Sequence, residues 1–132
     1  MQIGEVAART ELSVRSLRHW EEVGLLRPSG RSVGGFRLYT QGDVDRILAI
    51  RRMKPLGFSL EEMKAVIADI EQLERGDDAG RKGTASAADG PAARLGLVRA
   101  DAVQRRAKLA AQLAMADEFI DVLGRRMKRR GQ

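Results

Sequence analysis

Residues 92–130 constrain this chain most, because they read as one long helix that cannot stand alone. The stretch is rich in Ala, Leu and Arg. At ~1.5 Å rise per residue it spans roughly 55 Å. A lone helix is marginal in water, since most helical stability in proteins comes from packing an apolar face. Here that face is a seam: Leu109, Leu113, Ala116, Ile120, Leu123 and Met127 are spaced 4, 3, 4, 3, 4, the pattern of a heptad repeat. Upstream the seam loosens, with Leu95 and Ala102 on the projected line beside Arg99 and Arg106. The stripe is buried either against the head of its own chain or against a second copy. The short segment before it and the seam's length favour a second copy, so these six residues are the candidate dimerisation surface.

The preceding residues are organised differently. Ile3, Val6 and Ala7 suit a short helix with Glu5 in its first turn, although Gln2 is a poor cap. Glu11-Leu12 reads as a tight turn. Ser13 is a good N-cap for a second helix to about Val23, stopped by Gly24. Two short helices with so brief a turn make a helix-turn-helix candidate. Gly34-Gly35 then allows a reversal, and Phe36 and Leu38 alternate with Arg37 and Tyr39 at strand period, which predicts a small β-hairpin. Thr40 and Asp43 open a third helix with Val44, Ile47, Leu48 and Arg51 on one face, ended by Pro55-Leu56-Gly57. Ser59 and Glu62 form a capping box for a fourth, lined by Leu60, Met63, Val66, Ile67, Ile70 and Leu73. Residues 76–91 are small, Gly-rich and polar, the composition of a flexible linker. The expected domains are 1–75, a linker at 76–91, and the helix 92–130.

Charge follows the same divisions. Residues 1–54 hold ten Lys/Arg against six Asp/Glu, residues 55–91 four against eight, and residues 92–132 ten against four, for a net +6. Basic segments attract polyanions through Coulomb forces and counterion release. No cysteine is present, which excludes disulfides, thiolate metal sites and cysteine nucleophiles. No apolar run of membrane-spanning length occurs. The start, MQIGEVAART, lacks the features of a secretory signal. A cytoplasmic, nucleoid-associated protein is the expectation. His19 is the sole histidine, and zinc needs several N or S ligands, so no metal and no other cofactor is expected. With no P-loop, no Ser/His/Asp arrangement and no paired buried carboxylates, the chain is not expected to be an enzyme.

The second helix carries the chemistry. Arg15, Arg18, His19 and Glu22 fall at i, i+3, i+4 and i+7 and share one face, while Val14 and Leu17 lie toward the first helix. Arginine presents a planar fork that matches guanine O6 and N7 or a phosphate. On the hairpin, Arg31 and Arg37 flank the glycine turn with Tyr39 near by, placed for a phosphate backbone or a minor groove.

In its motifs the chain closely resembles the winged helix-turn-helix head of MerR-family regulators over residues 1–74. The most specific stretches are SLRHWE at residues 16–21, GLL at 24–26, GFRLY at 35–39 and LGFSLEE at 56–62. Beyond the head only the layout is similar, one long helix following. The resemblance implies a mainly α fold of four helices and a small β-hairpin wing, then a long antiparallel coiled-coil helix. It implies a homodimer on a promoter pseudo-palindrome, with DNA distortion that realigns promoter elements for RNA polymerase. Polymerase is engaged indirectly, through the shared double-stranded promoter DNA. Ser13, Arg15, Ser16, Arg18, His19 and Trp20 become candidate contacts of the helix-turn-helix, and Arg31, Arg37 and Tyr39 those of the wing. Trp20 stands where the family usually has Tyr, and either packs or gives its indole N–H to a phosphate. Metal sensors of the family use cysteines beside the long helix, and drug sensors append a ligand domain. Here only Gly131 and Gln132 follow, so an effector is absent or unknown.

Two other functions fit parts of the pattern: an architectural or recombination accessory protein with the same head, or a coiled-coil interaction adaptor. The basic end, Arg125, Arg126, Lys128, Arg129 and Arg130, suits a helix C-terminus. Alternatively it lies on the acidic fourth helix of a partner subunit, with Glu61, Glu62, Asp69, Glu71 and Glu74.

Overall fold

Three of the four helices of the head start where a side chain satisfies orphan backbone N–H groups. The computed structural model describes residues 1–28, 30–31, 34–76 and 90–131, with only the backbone of Arg31. Helix α1 (Ile3–Thr10) is the exception to side-chain capping, since Gln2 gives no cap. It closes on Glu11 at φ 57°, an uncommon left-handed residue that makes the turn to the next helix tight. Helix α2 (Val14–Glu22) is capped by Ser13, whose Oγ accepts from Ser16 N at 3.0 Å. Gly24 follows its end at φ 81°, where a Cβ is disfavoured.

The wing is short. Strand β1 (Gly30–Arg31) pairs antiparallel with β2 (Arg37–Leu38), Gly30 facing Leu38 and Arg31 facing Arg37. Gly35 supplies the positive φ, 83°, beside the return strand. Thr40 and Asp43 form a complete capping box for α3 (Gln41–Met53), and a 3-10 turn, Lys54–Leu56, follows. Ser59 and Glu62 do the same for α4 (Leu60–Glu74).

Helix α3 packs against both α1 and α4. Its buried residues are therefore Val44, Ile47, Ile50 and Met53 with Asp43, a wider arc than the face expected. Leu48 is half-buried, and Arg51 is at the surface, 3.3 Å from Glu11. On α4, Met63, Val66 and Ile67 are buried as expected, but Leu73 is exposed and Asp69 is buried. A buried carboxylate needs a partner. Arg94 grips Asp69 through Nε at 3.0 Å and Nη2 at 2.8 Å, and also reaches Gln72. Arg46 gathers Asp43, Glu71 and Glu74. Burial works against its charge, but these carboxylates outweigh that and raise its pKa.

Asp69, Glu71 and Glu74 of α4 are thus engaged within their own chain, while Glu61 stays largely exposed. A basic tail docking on those three carboxylates competes with Arg46 or Arg94.

Contacts divide the chain into two compact units, Met1–Leu95 and Gly96–Gln132. A continuous helix α5 (Pro91–Arg130) runs through their boundary, starting one residue before the expected position. Most of the expected linker, residues 77–89, lies outside the described residues. No helix among the described residues is long and apolar enough to cross a membrane.

Candidate nucleic-acid interface

Helix α2 has two unlike faces. Leu17 and Trp20 are buried, which turns Arg15, Arg18 and His19 outward, all three exposed. The cap residue Ser13 is exposed and Ser16 half-buried, and Ser13 Oγ also donates to Ser16 Oγ at 3.0 Å. Arg15, Ser16, Arg18, His19 and Lys54 line an open cleft of about 650 Å³. A second hollow of about 290 Å³ lies between Gln2, Ile3, Arg18, Gly35, Phe36 and Arg37. Arg18 lines both, so it joins the helix surface to the wing surface. Trp20, at 4 % exposure, is a packing residue, and its ring faces Lys54.

The wing is held by a residue the sequence did not single out. Glu21 accepts the Tyr39 hydroxyl hydrogen bond and pairs with the Arg37 guanidinium. Tyr39 is 2 % exposed, so its side chain packs inward, and its backbone N–H donates to Met1 O at 2.7 Å. Arg37 keeps about half its side chain in solvent. Phe36, 62 % exposed, points outward at the wing tip. The Arg31 side chain lies outside the described residues. Glu21 stands in the SLRHWE stretch, but nothing local announces its partner Tyr39, 18 residues downstream and far from helical i, i+4 spacing.

Burial, and then the Glu21 carboxylate, push the Tyr39 phenol well above its ordinary value near 10. The folded state therefore holds this proton more tightly than the unfolded state. The stabilisation is fully present below pH 10 and is lost as pH rises past 10, at up to ~1.4 kcal/mol per unit. Tyr39 is the only tyrosine, so phenolate absorbance reports it alone. We expect that absorbance to stay flat beyond pH 10 and to rise with unfolding. In Glu21→Gln it should rise earlier, while the protein is still folded.

On α5, the seam residues Leu109, Leu113, Ile120, Leu123 and Met127 are 42 to 72 % exposed, and Ala116 is exposed too. Met115, Phe119 and Val122 are also exposed. Each immediately precedes a seam residue, so the apolar arc is broader than a strict two-position seam. An apolar strip of this kind marks an interaction surface. Among the described residues, no group of three or more His, Cys, Asp and Glu could hold a metal ion.

A helix-turn-helix with a wing, followed by a long apolar-striped helix, defines a class of regulator fold. Comparison with known proteins names it. Residues 1–70 match the family described as MerR HTH family regulatory protein, and the chain belongs to that family. It is 44% identical over 75 residues to the uncharacterized HTH-type transcriptional regulator PA4778 of Pseudomonas aeruginosa, covering 57% of each protein. It is 46% identical over 67 residues to the HTH-type transcriptional regulator CueR of Vibrio cholerae, covering 51% of this chain and 48% of that one. The match thus spans about half the length of these curated relatives. Among solved structures, the N-terminus of the Bacillus subtilis multidrug transporter activator, MtaN, is similar with TM-score 0.55 and 26% identity over 96% of this chain and 97% of that one. HiNmlR, a MerR family regulator lacking the sensor domain and bound to promoter DNA, shares the fold with TM-score 0.61, 20% identity, 96% and 86% coverage.

Proposed function

We propose that this protein is a DNA-binding transcription regulator that works as a homodimer on a promoter pseudo-palindrome. The observation that carries the reading is the division of α2: Leu17 and Trp20 anchor it in the core while Arg15, Arg18 and His19 face solvent. That geometry lets the helix enter a major groove. Arg37, half exposed on the wing, is placed for the adjoining backbone. Two heads joined through the seams of their α5 helices address neighbouring turns of one duplex. The DNA complex of the structurally similar HiNmlR supports the same assignment. Distortion of the promoter acts on polymerase indirectly. Residues 1–75 bind and residues 92–130 dimerise.

Selection of bound genomic fragments, followed by gel shifts, tests this. Arg18→Ala should cost about 1–3 kcal/mol and relax specificity at one position per half-site if Arg18 reads a base. A phosphate contact would instead weaken all sequences alike and flatten the salt slope by about 0.9 per subunit. A pure dimer that binds no fragment at low salt rejects the assignment and favours an interaction adaptor. In vitro transcription from the selected site separates a regulator from an architectural protein.

A further inference from the structure

The 3-10 turn after α3 places a second cation source beside the recognition helix. Lys54 opens that turn, between the buried Met53 and Pro55. Its ammonium lies 5.6 Å from the centroid of the Trp20 ring, inside the range at which a cation is drawn to an indole face. Lys54 makes no ion pair among the described residues. It lines the same cleft as Arg15, Arg18 and His19. Among the described residues, Glu22 is the one carboxylate lining that cleft, against the cations of Arg15, Arg18 and Lys54.

We infer that Lys54 binds a DNA phosphate flanking the groove entered by α2, and that the Trp20 ring is the seat that positions its ammonium. The inference rests on the DNA-binding reading above. A lysine on a flexible stem ordinarily loses much side-chain freedom when it binds. A ring beneath the ammonium removes part of that freedom beforehand. Lys54 lies off the recognition helix, and a compact ammonium gives a point charge without the fork that reads a base. Its contribution is therefore independent of sequence. Trp20 acts through Lys54 and is a positioning residue, with its own ring in the core.

The test measures affinity against salt for the full chain, on a random-sequence duplex and on a fragment selected from genomic DNA. Lys54→Met should flatten the log–log salt slope by about 0.9 per subunit, hence by about two for a dimer, on both probes alike. Lys54→Arg should restore it. Trp20→Phe keeps a ring and should keep the slope, whereas Trp20→Leu should lose part of what Lys54→Met loses, and should lose nothing further in the Lys54→Met background. Trp20 is the only tryptophan, so its emission reports the seat directly. Emission should change when DNA is added to the native protein and change less in Lys54→Met, a readout that remains if Trp20→Leu fails to fold. An unchanged slope in Lys54→Met, beside a weakened Arg18→Ala, overturns the inference and leaves the DNA-binding reading standing. Absence of DNA binding by the native protein overturns both.

Discussion

Placing aspartate at Leu113 and Ile120 should convert the protein to a monomer and abolish tight DNA binding. Both residues are more than 60 % exposed in the single chain, so the substitutions cost α5 itself little. Their effect falls on the pairing we propose. Each change occurs twice in a dimer, so four apolar side chains lose their burial. At ~2 kcal/mol each, on the order of 8 kcal/mol disappears, before any carboxylate desolvation. At about 1.4 kcal/mol per decade this raises the dimer dissociation constant by between five and six orders of magnitude. DNA affinity follows, because two linked heads gain from effective concentration and one head does not; a loss of roughly 10² to 10⁴ is expected. Sedimentation equilibrium across micromolar concentrations checks the first claim and gel shifts the second. Unchanged Trp20 emission would show that the head remains folded. A variant that sediments as a dimer would place the interface elsewhere and remove the seam from the functional account.

Local patterns were legible in the sequence, and distant pairings were not. The caps at Ser13, Thr40 and Ser59 depend on residues three positions away, so spacing alone revealed them. The outward face of α2 and the stripe on α5 repeat at helical intervals for the same reason. The buried arc of α3 was read too narrowly, because periodicity shows one face and α3 packs on two neighbours. The burial of Asp69 is not legible locally, since nothing nearby announces Arg94, 25 residues on. Strand period places Tyr39 with the wing residues, yet its ring turns into the core, where Glu21 meets its hydroxyl. The relation of Lys54 to Trp20 exists only after α2 and the turn beyond α3 are brought together. Each is a tertiary relation between elements distant in sequence, the kind that the periodicity of a single element does not encode.

Glu21→Ala should be the most damaging single change in the wing's support. The carboxylate is largely buried and serves two groups with different fates. Arg37 is half in solvent, so once freed it regains water and contributes little to the loss. The Tyr39 hydroxyl has no such escape at 2 % exposure, and an unsatisfied buried donor costs about 1–3 kcal/mol. With lost packing added, we expect about 2–3 kcal/mol, or roughly 10 °C or more in melting temperature for a head of this size. Glu21→Gln retains an acceptor for Tyr39 and gives up only the charge pairing, so it should lose less than half as much. Tyr39→Phe in the Glu21→Ala background removes the stranded hydroxyl, and the double variant should be more stable than the sum of the two single losses implies. Denaturant unfolding of the native protein, the three single variants and the double variant decides the matter. Equal losses in Glu21→Ala and Glu21→Gln, or strict additivity with Tyr39→Phe, would mean that this carboxylate does not couple the wing to the recognition helix.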